Sequence, residues 1–163
     1  MGRQVACLAF AMWVCGTAVA CRHEAPTNGT WIRGDSGVRW TTVARHLRGL
    51  DVAMVEIGYR YQELYWAGAD SNWEYADYQL KKIDLALGNA LERRPKRRAS
   101  SEAVFVPSLG ELKQAIALKQ LSRFEEGFSG MTAACNSCHV AEGVASFYVE
   151  QPTDRQSRIR APR

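Results

Sequence analysis

Apolar residues that recur at alternating steps of three and four constrain this chain more than any other feature. One series runs Trp40, Val43, Leu47, Leu50, Met54, Ile57, Tyr61 and Leu64, and a second runs Trp73, Ala76, Leu80, Ile83, Leu87 and Ala90. A shorter series follows at Leu109, Leu112, Ala115 and Ile116, and a last one joins Phe124, Phe128, Met131, Cys135 and Cys138. Such steps keep side chains on one face of an α-helix, whereas a half-buried strand would alternate with a period of two. Four such faces, with no strand pair of any length, predict an all-α fold. Connected mostly by short loops, they predict an antiparallel four-helix bundle running up-down-up-down, with its core between the stripes.

Local signals set the expected boundaries. Gly49 weakens the first stripe, which predicts a firm start near Asp51 and an end at Ala67-Gly68. Ser71 to Glu74, Ser108 to Glu111 and Ser122 to Glu125 each place a serine three residues before a glutamate, the pattern of a capping box opening a helix. Pro95 stops the second helix, and a basic, Ser-containing loop is expected from Arg93 to Pro107. Gly143 is the expected stop of the fourth helix. The resulting division is a signal segment over 1–20, a Gly-rich linker over 21–37, a helical domain over 38–148 and a basic tail over 149–163.

The last stripe ends in Cys135-Asn136-Ser137-Cys138-His139. C-x-x-C-H is the attachment signature of c-type haem: two thiols add across the vinyl groups and the adjacent imidazole supplies an axial nitrogen. The competing readings are a structural disulfide, a redox dithiol or half a zinc site. Zinc would want four ligands, and the other histidines are His23 and His46. A redox pair would want a βαβ setting. One covalent haem c on Cys135, Cys138 and His139 is therefore the expected cofactor.

Spacing ranks the groups that could reach the opposite face of the iron. In an up-down-up-down bundle the end of helix 1 and the start of helix 4 lie at the same level. Met54 is fourteen residues before Gly68, about 21 Å, and His139 is sixteen after Arg123, about 24 Å. His46 would sit about 9 Å too far along the axis, and Met131 shares a helix with His139. Met54 is the expected sixth ligand, against two alternatives: an ordinary core methionine, and an iron with its sixth position open.

These features resemble the class II cytochromes c, the cytochrome c-prime group and its low-spin relatives. Met131 to His139 and Leu64 to Gly68 are also similar to stretches of a set of exported bacterial cytochrome-like proteins. The resemblance covers about residues 50 to 153. It implies a four-helix bundle with the haem motif near the end of the last helix, Met54 where low-spin members carry their ligand, and a homodimer as one assembly state.

Arg3, the apolar run from Val5 to Val14 and Ala18-Val19-Ala20 read as an export signal, and Cys21 directly after it also resembles a lipid-anchored cysteine. Export to a bacterial periplasm fits the motif, because c-type haem is attached outside the cytoplasm. A net charge of +4 is too weak to imply a nucleic-acid partner. The runs Arg93 to Arg98 and Arg155 to Arg163 are expected as a solvated loop and tail, or as docking points for an acidic redox partner or an anionic membrane surface. The expected function is electron transfer without bond chemistry. A five-coordinate protein binding nitric oxide or carbon monoxide is the alternative.

Overall fold

A computed structural model of the chain describes residues 32–161. The expected signal segment, Cys21 and most of the linker lie outside the described residues. Two compact units divide the chain, Met1–Val43 and Ala44–Arg163. Helix α1 (Ser36–Leu47) crosses that division and buries none of its residues.

Among the described residues all further regular structure is helical: α2 (Leu50–Ala69), α3 (Trp73–Arg93), a single 3-10 turn at Pro95–Arg97, α4 (Arg98–Ala117) and α5 (Leu121–Ala141). Within the second unit α2 packs on α3, α3 on α4, α4 on α5, and α5 meets α2 again. The stripes meet in one core containing Tyr61, Leu64, Leu80, Ile83, Leu112, Phe124, Phe128 and Met131. Burial of each such side chain is worth about 1.5–3 kcal/mol against exposure, which gives the helices the stability their propensities alone lack. Among the described residues no helix is long and apolar enough to cross a membrane.

Contacts between α2 and α5 step in opposite directions along the two sequences. Phe124 lies on the backbone of Gly68, where an added Cβ would meet its ring at 2.0 Å. Tyr65 meets Phe128 with ring centroids 5.1 Å apart, and the Tyr61 hydroxyl hydrogen-bonds Thr132 Oγ1 at 2.7 Å.

The helix ends depart from expectation. The first stripe is two helices, because Arg48 adopts φ 57° and its N–H closes back on the carbonyl of Arg45. Asp51 then fastens the break, accepting from the backbone N–H of Gly49 and from the Arg48 guanidinium. Gly68 is inside the last turn of α2 rather than its stop. The left-handed residue that ends α2 is Ser71 at φ 55°: its N–H reaches the Gly68 carbonyl while the N–H of Asn72 reaches that of Ala67. This two-bond closure satisfies the final carbonyls, and it leaves the N-cap of α3 to Asn72, whose side chain accepts from Tyr75 N at 3.4 Å.

The loop expected from Arg93 to Pro107 is instead the 3-10 turn and the first half of α4. Pro107 sits within α4 on its exposed side. Ser108 opens no helix; it is buried mid-helix with its hydroxyl donating to the Phe105 carbonyl at 2.9 Å. Ser101 and Phe105 on the same stretch are buried as well, and this packing holds the segment helical across the proline. Ser122 lies in the first turn of α5, whose N-cap is Gln120, because α4 ends through a left-handed Lys119 that hands the chain on one residue earlier.

Candidate functional site

Periodicity places the three motif residues. Cys135 packs half-buried against the core, and Cys138 follows three residues later on the same helix. Both thiols are free. Burial, reinforced by the neighbouring Cys138, pushes the Cys135 thiol up to about 12. Cys138 is also raised by burial, with Arg97 pulling the other way. The pair lies in the last two turns of α5, at the negative end of the helix dipole. A redox dithiol works in the opposite setting, at a helix N-terminus that lowers the thiol pKa.

His139 is two residues from the end of α5, and the closure of that helix engages its own carbonyl. Gly143, at φ 73°, donates to Val140 O, and Val144 N donates to His139 O at 2.8 Å. Gly143 is thus the stop that the sequence signals. The turn sends the chain back along α5, and the carbonyl of Phe147 arrives at His139 Nδ1. A carbonyl can only accept, so Nδ1 is the donor in this contact, and in the neutral ring Nε2 is then the nitrogen that keeps its lone pair. The ring of Phe147, itself largely exposed, stands edge-on to the imidazole with centroids 6.5 Å apart.

Two thiols and an imidazole lie on one stretch of helix, residue types that a covalently attached haem would use. Among the described residues no three His, Cys, Asp or Glu side chains cluster to hold a metal ion by themselves. Met54 is half-buried against the core. It lines an open groove of about 500 Å³ with Val55, Gly58, Tyr59, Gln62, Glu63, Gln156 and Ser157. None of the motif residues lines that groove. Met54 is one heptad before Tyr61, and His139 one heptad after Thr132, so each shares a helix face with a member of the Tyr61–Thr132 pair. His46 lies on α1, and Met131 is fully buried in the core.

Aromatic side chains fill the core between α2 and α5. Tyr61, Tyr65, Phe124 and Phe128 form one continuous cluster of tilted rings, with Trp73 edge-on to Phe124. Tyr61 adds a polar function, since its hydroxyl bonds Thr132 and also donates to the carbonyl of Glu150 at 3.3 Å. Burial pushes that phenol up to about 12.

Neither basic run is simply solvated. Arg97 pairs with Glu142 just beyond α5, and Ser100 donates to the same carboxylate. Arg155 forms a two-pronged pair with Asp70 at 2.7 and 2.8 Å, donates to Trp66 O at 3.1 Å and lies over the Trp66 ring at 4.7 Å. The flat guanidinium fork matches the carboxylate, so the tail expected over 149–163 is pinned at Arg155 rather than simply solvated.

Sequence reasoning missed Asn136, Arg155, Asp70 and Glu142. Asn136 occupies a variable position of the motif. Its amide donates to Val149 O at 2.9 Å and accepts from Val149 N at 2.8 Å, satisfying one residue of the returning chain at both its backbone groups. No local signal announces such a partner. No family model, curated protein or solved structure matches this chain.

Proposed function

We propose that this protein is an exported, mono-haem c-type cytochrome that transfers electrons, with one haem c on Cys135 and Cys138 and the iron held by His139 and Met54. The observation that carries the reading is His139 itself. It follows the second cysteine directly, and its Nδ1 is committed to the Phe147 carbonyl, which leaves Nε2 as the free donor. The stepwise contacts from Gly68–Phe124 to Tyr61–Thr132 support an antiparallel pairing of α2 and α5. A further seven residues along each helix reaches Met54 and His139, on the faces those pairs share. That supports Met54 as the second axial ligand within an up-down-up-down bundle.

Haem supplies a one-electron couple, and methionine–histidine ligation raises its potential and closes the iron to small molecules. The chain's residues bind, orient and shield. Cys135 and Cys138 would tether the haem, and the Phe147 carbonyl orients the imidazole. Electrons pass to and from redox partner proteins, and the chain makes and breaks no substrate bonds. Periplasmic localisation, with lipid anchoring at Cys21 as one variant, follows from the same reading.

One observation favours a second reading. The groove beside Met54 is open to solvent, a route by which nitric oxide or carbon monoxide could approach an iron that Met54 does not ligate. The ferric and ferrous visible spectra of wild type and Met54→Ala separate the two. The carrier reading expects a low-spin ferric spectrum with a methionine–iron charge-transfer band that Met54→Ala abolishes. A high-spin wild type that binds carbon monoxide rapidly gives the second reading instead. A chain exported from a cell competent for haem attachment that shows no covalent haem after denaturation overturns both.

A further inference from the structure

We propose that the segment from Phe147 to Arg155 is a positioning strap for His139, clamped near the site by Asn136 and latched by Arg155 at the far end of α2. This inference rests on the haem reading for its consequence, although the strap stands on its own contacts. The strap leaves the turn at Gly143 and doubles back beside α5. Phe147 gives its carbonyl to His139 Nδ1, and Val149 gives both backbone groups to the Asn136 amide while its side chain packs on the core. Glu150 gives its carbonyl to the Tyr61 hydroxyl on α2. Arg155 then closes on Asp70, Trp66 O and the Trp66 ring. Arg155 and Asp70 are 12% and 27% exposed, far less than an ordinary surface pair, so this latch is held in one geometry.

A carbonyl on a segment with no regular structure of its own cannot hold an imidazole unless something fixes that segment. Asn136 does so only three residues from His139, on the same helix. The motif thereby contains, in one of its variable positions, the residue that sets the angle of its own ligand. The Nδ1–H···O=C bond makes the imidazole a stronger donor. A strap that loosens weakens that bond and favours the ferrous state, which raises the reduction potential. Asn136 and Arg155 are positioning residues, the first acting directly and the second through the length of the strap.

The test compares full-length wild type, Asn136→Ala, Arg155→Ala and Arg155→Lys, with haem attached during export. Haem staining of denatured protein reports the haem reading alone. Hydrogen exchange at the Val149 amide reports the strap, and the reduction potential reports its effect on His139. Exchange should speed by about tenfold or more in Asn136→Ala and measurably in both Arg155 variants. The potential should rise in the same order, with haem content unchanged. Arg155→Lys keeps the charge but loses the fork, so it keeps the test alive if a harsher variant fails to fold. Unchanged Val149 exchange in all variants overturns the strap. Faster exchange with an unchanged potential overturns its positioning role. If no haem is attached, the ring-nitrogen NMR shifts of His139 carry the test: loss of the Nδ1-protonated form in Asn136→Ala supports the strap, and its retention overturns it.

Discussion

At Cys135 burial sets the chemistry. In a haem-free chain the folded thiol titrates near 12 against an ordinary value of 9.0. The unfolded chain therefore loses this proton first, and the folded state loses stability as pH rises above 9.0. Urea unfolding of a haem-free preparation should show a falling midpoint from that pH upward, and Cys135→Ala should flatten the fall. In the haem-bearing protein the thioether has no proton to lose, so the fall should begin only above 10.0, where the buried Tyr61 phenol takes over. Gly68 gives a second residue-level outcome. A methyl group there meets the Phe124 ring inside a filled core, so Gly68→Ala should cost about 1–3 kcal/mol in chemical denaturation. The motif of Cys135, Cys138 and His139 stands out in the sequence because it is a matter of residue type and spacing. Asn136 and Arg155 were not: their partners are 13 and 85 residues distant, brought close only by the chain's return.

Among the elements, the stripes were legible and most of the ends were not, for one physical reason. Periodicity is a property of the helix interior, whereas a stop depends on which residue turns left-handed. Gly143 does so visibly, but α2 and α4 turn at Ser71 and Lys119, residues that carry no such signal. A side chain pays about 1 kcal/mol for that conformation relative to glycine, so Lys119→Gly should raise thermal stability by an amount of that order. The proline inside α4 misled for a related reason: its local penalty is outweighed by the burial of Ser101, Phe105 and Ser108 around it. Pro107 is exposed and removes one helix hydrogen bond, so Pro107→Ala should stabilise by about 1 kcal/mol or more, read by differential scanning calorimetry.

For the whole molecule, the all-helical architecture was legible from four amphipathic faces, while the conversion of the C-terminal tail into a packed segment was not. Composition suggested solvation because arginine is usually exposed; Arg155 finds a carboxylate, a carbonyl and an indole together at the end of α2. That latch has a pH dependence of known sign. The Arg155 guanidinium holds the Asp70 carboxyl below its ordinary 3.8. Its contribution is complete above 3.8 and is lost as pH falls through the lower folded value. Proteolysis of the C-terminal segment should therefore accelerate in that acid window, and Asp70→Asn should show the fast rate at neutral pH.

Gly143 and the chain beyond it also impose an order of events. Cys135 and Cys138 belong to α5, and the residues that reach His139 follow them in the chain. A chain threaded outward from its N-terminus thus presents its two thiols before it can cover them. On the haem reading, the segment from Phe147 to Arg155 acts as a seal applied once the prosthetic group is in place, and a nascent chain that folded this segment too early would shut out its own cofactor.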